Sequence, residues 1–156
     1  MRIKLIAVGG KMPGWVNSGF NEYAKRLPHE LKLEVIEVPL GQRGKGADIQ
    51  RAIAKESRQL LAAIEEKDQV VALDVKGSAW STEQLAQKLS EWQMSGTNVA
   101  LLVGGPDGLS PDCLQRAGQS WSLSKLTFPH PLVRVVVAEQ LYRAWTLLNN
   151  HPYHRS

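Results

Sequence analysis

Apolar and polar positions along the chain switch repeatedly between two periods. Ile3 to Val8 is a strand-like run ended by Gly9-Gly10, and Trp15 to Leu27 places Val16, Phe20, Tyr23, Ala24 and Leu27 on one helical face. Leu31 to Val38 is β-rich and stops at Pro39, whereas Ala47 to Ile64 returns to helical spacing with Ile49, Ile53, Leu60 and Ile64 aligned. Gln69 to Val75 is almost continuously apolar, as expected of a strand covered on both faces of a parallel sheet. Ser81 and Gln84 have capping-box spacing and open a helix carrying Leu85, Leu89 and Trp92. Asn98 to Val103 reads as another buried strand and Trp121 to Ser124 as a short fifth. His130 and Pro131 then take the N-cap and first-turn positions of a helix running to about Asn149, where proline's missing N–H costs nothing. Strands alternating with helices predict an α/β protein, a mostly parallel sheet with helices on both faces, in one domain over residues 1–156.

The final helix carries more apolar surface than one face needs. Val133, Val137, Leu141, Ala144, Trp145 and Leu148 form a stripe for the sheet, and Val135, Ala138 and Tyr142 a second patch beside it. That patch is either sunk in the chain's own core or an interface between two copies, twofold dimers being the commonest assembly. Trp15, Trp80, Trp92, Trp121 and Trp145 are expected in the core rather than as stacking platforms.

Composition narrows the class without naming an activity. At 156 residues and 43% hydrophobic content the chain supports one substantial core. Its apolar segments are far shorter than the roughly 20 residues of a membrane span. Met1-Arg2-Ile3-Lys4-Leu5 is an alternating strand without a signal-peptide pattern, and the single cysteine, Cys113, leaves no internal disulfide or multi-cysteine zinc site. A cytoplasmic location is therefore expected. A net charge of +4 permits a nucleic-acid partner but does not require one.

Three segments could carry chemistry. Gly41-Gln42-Arg43-Gly44-Lys45-Gly46-Ala47-Asp48 offers Arg43 and Lys45 among glycines, suited to a phosphate or an RNA backbone, or simply to a flexible connection. It lacks the spacing and hydroxyl of a Walker A loop, and Gly9-Gly10 does not complete a G-x-G-x-x-G fingerprint. Gly104-Gly105-Pro106-Asp107-Gly108 is stronger, because it follows a buried strand at the carboxyl edge where open α/β sheets place ligands. Together with the hydroxyl-bearing Trp121 to Pro131 segment it could line a pocket for a nucleoside-like cofactor. At the C-terminus His151 and His154 lack a third metal ligand. Tyr153, His154 and Arg155 suit a nucleobase and its phosphates, or form a loose tail. No Ser-His-Asp order or metal-ligand array is present, so no metal is expected. Spacing alone yields a pocket and not a reaction.

Longer motifs go further. Leu102-Val103-Gly104-Gly105-Pro106-Asp107-Gly108, Ser122-Leu123-Ser124-Lys125-Leu126-Thr127-Phe128-Pro129-His130, Arg134 to Ala144 and His151-Pro152-Tyr153-His154-Arg155 resemble the SPOUT methyltransferases that act on large-subunit ribosomal RNA. Lys4 to Gly9, Pro39 to Arg43 and Ala72-Leu73-Asp74 extend the resemblance over essentially the whole chain. It implies an α/β fold with a C-terminal trefoil knot, S-adenosylmethionine as cofactor, and a homodimer. The implied product is the N3-methylated form of a pseudouridine in the 23S rRNA of assembled ribosomes. By the same resemblance Leu73, Gly104, Gly105, Leu123, Ser124, Lys125, Leu126, Thr127 and Phe128 would hold the cofactor. His154, with Tyr153 and Arg155, would meet the base across the dimer interface, and Arg43 and Lys45 would contact RNA. Two other classes stay open: a non-catalytic RNA- or ribosome-binding module, and a small-molecule nucleotide-binding enzyme.

Overall fold

The computed structural model describes residues 1–44 and 48–155, and the side chains of all of these but His154 and Arg155. Five strands, β1 (Arg2–Val8), β2 (Lys32–Val38), β3 (Gln69–Ala79), β4 (Val99–Val103) and β5 (Gln119–Ser122), form one sheet in the order β2-β1-β4-β3-β5. Every neighbouring pair is parallel. Five helices connect or follow them: α1 (Gly14–Ala24), α2 (Ile49–Ala62), α3 (Thr82–Ser95), α4 (Pro111–Arg116) and α5 (His130–Leu148). A short 3-10 turn, Pro152–Arg155, closes the chain.

Alternate strand residues feed two cores, as the two-residue period of a pleated strand requires. Ile3, Leu5, Val99, Leu101 and Val103 pack with Phe20 of α1, Leu85 and Leu89 of α3, and Val137 and Leu141 of α5. Ile6, Val8, Ala100 and Leu102 pack on the other face with Leu60 of α2 and Cys113 of α4. Helices on both faces of a parallel sheet are therefore observed as expected. The capping box is formed from both sides, with Gln84 N donating to Ser81 Oγ at 3.1 Å and Ser81 N to Gln84 Oε1 at 2.8 Å. α2 starts two residues later than its periodicity suggests, because Asp48 stays outside as the cap and accepts from Gln50 N at 3.0 Å.

Several details depart from the sequence reading. Lys4, expected on a half-exposed strand, is 2% exposed and pairs with Asp68 at 2.5 Å. β1 is a central strand covered on both faces. β5 begins at Gln119 and β3 continues to Ala79, but β3 slips in register against β5 between Leu73 and Ser78, so that both pair with Trp121. α4 was not anticipated, although Ser110 caps it through Cys113 N at 3.2 Å and Pro111 opens it. The cap of α5 is Pro129 rather than His130. Of the second patch on α5, Ala138 and Tyr142 are buried in the chain's own core and Val135 is half-buried, and α5 packs against both α1 and α3. Tyr142 lies against Tyr23, Trp145 and Tyr153. Trp92 and Trp121 are core residues as expected, whereas Trp15 is 56% exposed.

Candidate functional site

The strand order reverses direction beside β1: β2 lies on one side, β4 and β3 on the other. Ligands of open α/β sheets sit at such a switch point, outside the carboxyl ends of the strands. A cleft of about 900 Å³ opens there, near the upper end of the usual range for small-molecule sites. It is walled by the segments that follow β1, β2, β4 and β5 and by the stretch of β3 where the register slips.

Of the residues expected to hold a cofactor, Leu73, Gly104, Gly105, Leu123, Ser124, Leu126, Thr127 and Phe128 line this cleft. Lys125 lies on the same loop but is exposed and does not line it. The glycine loop is a tight turn, with Gly108 N donating to Gly105 O at 3.0 Å and Gly108 at φ +80°. The opposite loop is shaped by its hydroxyls, Ser122 Oγ donating to Ser124 O at 3.0 Å and Leu126 N to Ser124 Oγ at 3.0 Å. A Cβ on Gly105 would not project into empty cleft. It would meet Val8 Cγ1 at 3.1 Å, Glu56 Oε1 at 3.2 Å and Leu40 Cδ1 at 3.4 Å, all in the wall.

Arg43 accounts for that wall. Its guanidinium pairs with the buried carboxylate of Glu56, Nη2 to Oε1 at 3.0 Å, and its Nε donates to Asp107 Oδ2 in the glycine loop at 2.8 Å. Glu56 also accepts from Gly41 N at 2.8 Å. These carboxylates raise the Arg43 pKa further above its ordinary value, chiefly through the hydrogen bonds they accept from it, Glu56 first and then Asp107. Arg43 is thus engaged inside the protein as a tie between α2 and the glycine loop, which leaves the expected RNA-phosphate role without an available guanidinium. Lys45 lies outside the described residues.

The tail is far from its own cleft. The Tyr153 ring packs edge-on against Tyr142 at 4.7 Å, and Arg143 lies over it at 5.1 Å. Tyr142 is twelve residues along α5 from His130, roughly 18 Å at 1.5 Å per residue. Burial, then Glu139 and Tyr23, push the Tyr153 phenol up to about 12, so it is a neutral phenol at physiological pH and not a base.

Sequence reasoning missed Gly9, Gly10, Met12, Leu40, Val75 and Lys76 as cleft residues, and it offered Trp121 and His130 only as part of the Trp121 to Pro131 segment. The signal was available, since Gly9-Gly10 also follows a buried strand at the carboxyl edge of the sheet. Among the described residues no group of three His, Cys, Asp or Glu side chains is placed to hold a metal ion. Nor, among the described residues, is any helix long and apolar enough to cross a membrane.

Fold and cleft together define a doubly wound α/β protein with a cleft at the carboxyl ends of its strands, where open sheets of this kind take their ligands. The chain belongs to the SPOUT methyltransferases: the family model described as "Predicted SPOUT methyltransferase" matches residues 1–154. It is 61% identical over 155 residues to the ribosomal RNA large subunit methyltransferase H of Marinomonas sp. strain MWYL1, covering 99% of this chain and 100% of that one. It is 62% identical over 156 residues to the protein of the same name from Alkalilimnicola ehrlichii, covering all of both. A solved structure described as a "probable methylase family protein" from Haemophilus influenzae Rd KW20 superposes with a TM-score of 0.61 at 12% identity. It covers 97% of this chain and 69% of that one, a likeness of fold.

Proposed function

We propose that this protein transfers a methyl group from S-adenosylmethionine to N3 of a pseudouridine in 23S rRNA, on assembled ribosomes and as a cytoplasmic homodimer. The observation that carries the reading is the meeting of the glycine loop and the Leu123 to Phe128 loop in one cleft at the switch point. The relatives' common name supports ribosomal RNA as the substrate.

The residues present fit the cofactor. Leu73, Leu123 and Phe128 provide apolar walls for a flat ring, and the peptide groups of Gly104 to Gly108 and Ser124 to Thr127 provide donors and acceptors for its polar edges. When bound, S-adenosylmethionine supplies a sulfonium methyl electrophilic enough to need no covalent help from the protein. The chain's own task is to hold the base nitrogen in line with that methyl and to exclude water. Such orientation is worth roughly 7–11 kcal/mol.

The homodimer reading is supported by the same geometry, in which Tyr153 sits far along α5 from its own cleft. Tyr153, His154 and Arg155 would therefore meet the base in the cleft of a second copy. The family's trefoil knot is expected in the C-terminal half, where β4 enters between β1 and β3 and β5 follows.

Calorimetric titration with S-adenosylmethionine, ATP and NAD, followed by methyl incorporation into ribosomes, tests the reading. Binding of ATP or NAD in place of S-adenosylmethionine would favour a small-molecule enzyme, and binding of none a non-catalytic ribosome-binding module. For the dimer, a tail-truncated chain mixed with a Gly105→Val chain should regain transfer that neither shows alone.

A further inference from the structure

We propose that His130 is a substrate-facing residue of the cleft, donating its Nδ1–H to a carbonyl oxygen of the target base, and that Arg134 is the positioning residue that holds the ring in that state. The proposal rests on the methylation reading above and deepens it.

The starting point is a buried charge with too few partners. Arg134 lies on α5 one turn beyond His130 and is 2% exposed. Its Nη1 meets Glu37 Oε1 of β2 at 3.3 Å, its Nε meets His130 Nε2 at 3.4 Å, and its Nη2 has no acceptor among the described residues. Glu37 is itself 44% exposed, so the pair is not a tight internal one. An apolar side chain would fill that space without the desolvation cost of a guanidinium. Arg134 and Glu37 also line a smaller cavity of about 260 Å³ beside Val16 and Phe20 of α1. The guanidinium thus stands between that cavity and the cleft, and its contact on the cleft side is His130.

That contact fixes the ring. An imidazole nitrogen that accepts from Arg134 carries no proton, so the proton of the neutral ring is on Nδ1. Among the described residues His130 Nε2 accepts from Arg134, and Nδ1 makes no hydrogen bond. Protonating Nε2 would break the bond and set a second cation beside Arg134. Burial and then the Arg134 charge push the His130 pKa below its ordinary value, opposed by Glu37. Asp74, Lys76 and Asp107 are the other charged residues lining the cleft. The Nε2–Cε1 edge lies against the β1–α1 loop, where a Cβ on Gly9 would be 3.5 Å from Cε1.

A neutral N–H donor is what an imide nitrogen needs as a methyl acceptor. N3 of a uracil-type ring lies between two carbonyls, and as N3–H breaks, its electrons spread onto those oxygens. A fixed donor at one oxygen stabilises that charge more than it stabilises the neutral ring. In the balanced step N3 loses its proton to water and takes the methyl, whose bonding electrons remain on the cofactor's sulfur. His130 keeps its own proton throughout.

The test measures methyl transfer to ribosomes lacking the modification, for the unsubstituted protein, His130→Ala, His130→Asn and Arg134→Met. His130→Ala should lower kcat about 100-fold, the loss of one preorganised donor, with S-adenosylmethionine affinity changed less than about threefold. His130→Asn, which keeps an amide donor, should recover part of the rate. In Arg134→Met the acid limb of the pH–rate profile should move up toward the ordinary histidine value of about 6.5, because removing the cation makes ring protonation easier. Nitrogen NMR of the unsubstituted protein reads the tautomer directly and does not depend on Arg134→Met folding. A proton found on Nε2, an unmoved acid limb, or full turnover by His130→Ala would overturn the proposal. Absence of transfer by the unsubstituted protein would instead refute the methylation reading, and the substrate half of this proposal with it.

Discussion

Replacing Arg43 with alanine separates two jobs a cation in a glycine-rich segment can have. If Arg43 served an RNA phosphate, its loss would leave folding untouched and flatten the salt dependence of ribosome binding by about one counterion. The structure predicts the opposite. The Arg43 side chain is 15% exposed and that of its partner Glu56 only 3%. Removing one member of a buried pair leaves the other charge uncompensated, at about 3–5 kcal/mol. In a domain of this size that is a fall in Tm of roughly 6–20 °C. The Asp107 contact contributes less, because Asp107 is 37% exposed and such pairs are worth about 0–1 kcal/mol. Asp107→Ala should therefore keep the fold while loosening the glycine loop and weakening cofactor binding. Arg43→Met with Glu56→Gln should recover much of the stability, since glutamine still accepts from Gly41 N and no charge is stranded. Denaturant unfolding of the four proteins checks the stabilities, and titration with S-adenosylmethionine and with ribosomes checks the binding. An Arg43→Ala protein as stable as the parent, with weakened ribosome binding, would refute the reasoning.

Gly105→Val should weaken S-adenosylmethionine binding at least tenfold and destabilise the fold by about 1–3 kcal/mol, because its Cβ meets Val8 and a Glu56 pinned by two partners; unchanged affinity by calorimetry would count against it. Truncation after Pro152 should abolish methyl transfer yet spare cofactor binding, while losing about 0.5–1.5 kcal/mol of the Tyr153–Tyr142 ring contact; full turnover would return the tail to a bland end. The Tyr153 phenol, raised to about 12, favours its neutral form in the folded chain. Its contribution is present below the unfolded tyrosine value of about 10 and is lost as pH rises toward 12, so Tyr153→Phe should flatten the alkaline fall in stability between those values.

What the sequence made legible was whatever depends on neighbours along the chain. The capping box at Ser81, the buried runs of β3 and β4 and the glycine loop after β4 are local patterns, and the structure contains each. The errors arose where a residue's partner is distant. Lys4 looks like the polar half of an alternating strand because Asp68, which neutralises it, is 64 residues away. Arg43 looks like a free cation because its partners lie on other elements, Glu56 13 residues away on α2 and Asp107 64 residues away in the glycine loop. Tyr142 looks like interface because its cover comes from Tyr23 on α1 and Tyr153 in the tail.

The same distinction explains how the site could be half visible. A phosphate loop or a catalytic triad advertises itself by spacing, but this cleft is assembled from the ends of separate strands, whose order in the sheet no local pattern reveals. The glycine loop could be singled out because a run without side chains is unusual wherever it falls. His130 could not, because its meaning depends on Arg134 being buried, and that burial depends on packing α5 against α1 and on the reach of Arg134 to Glu37 of the edge strand β2. A charged residue on an apolar helix reads as a solvated face until the sheet order is known. Once it is known, the incompletely paired guanidinium is seen to meet the cleft through His130, which lines it.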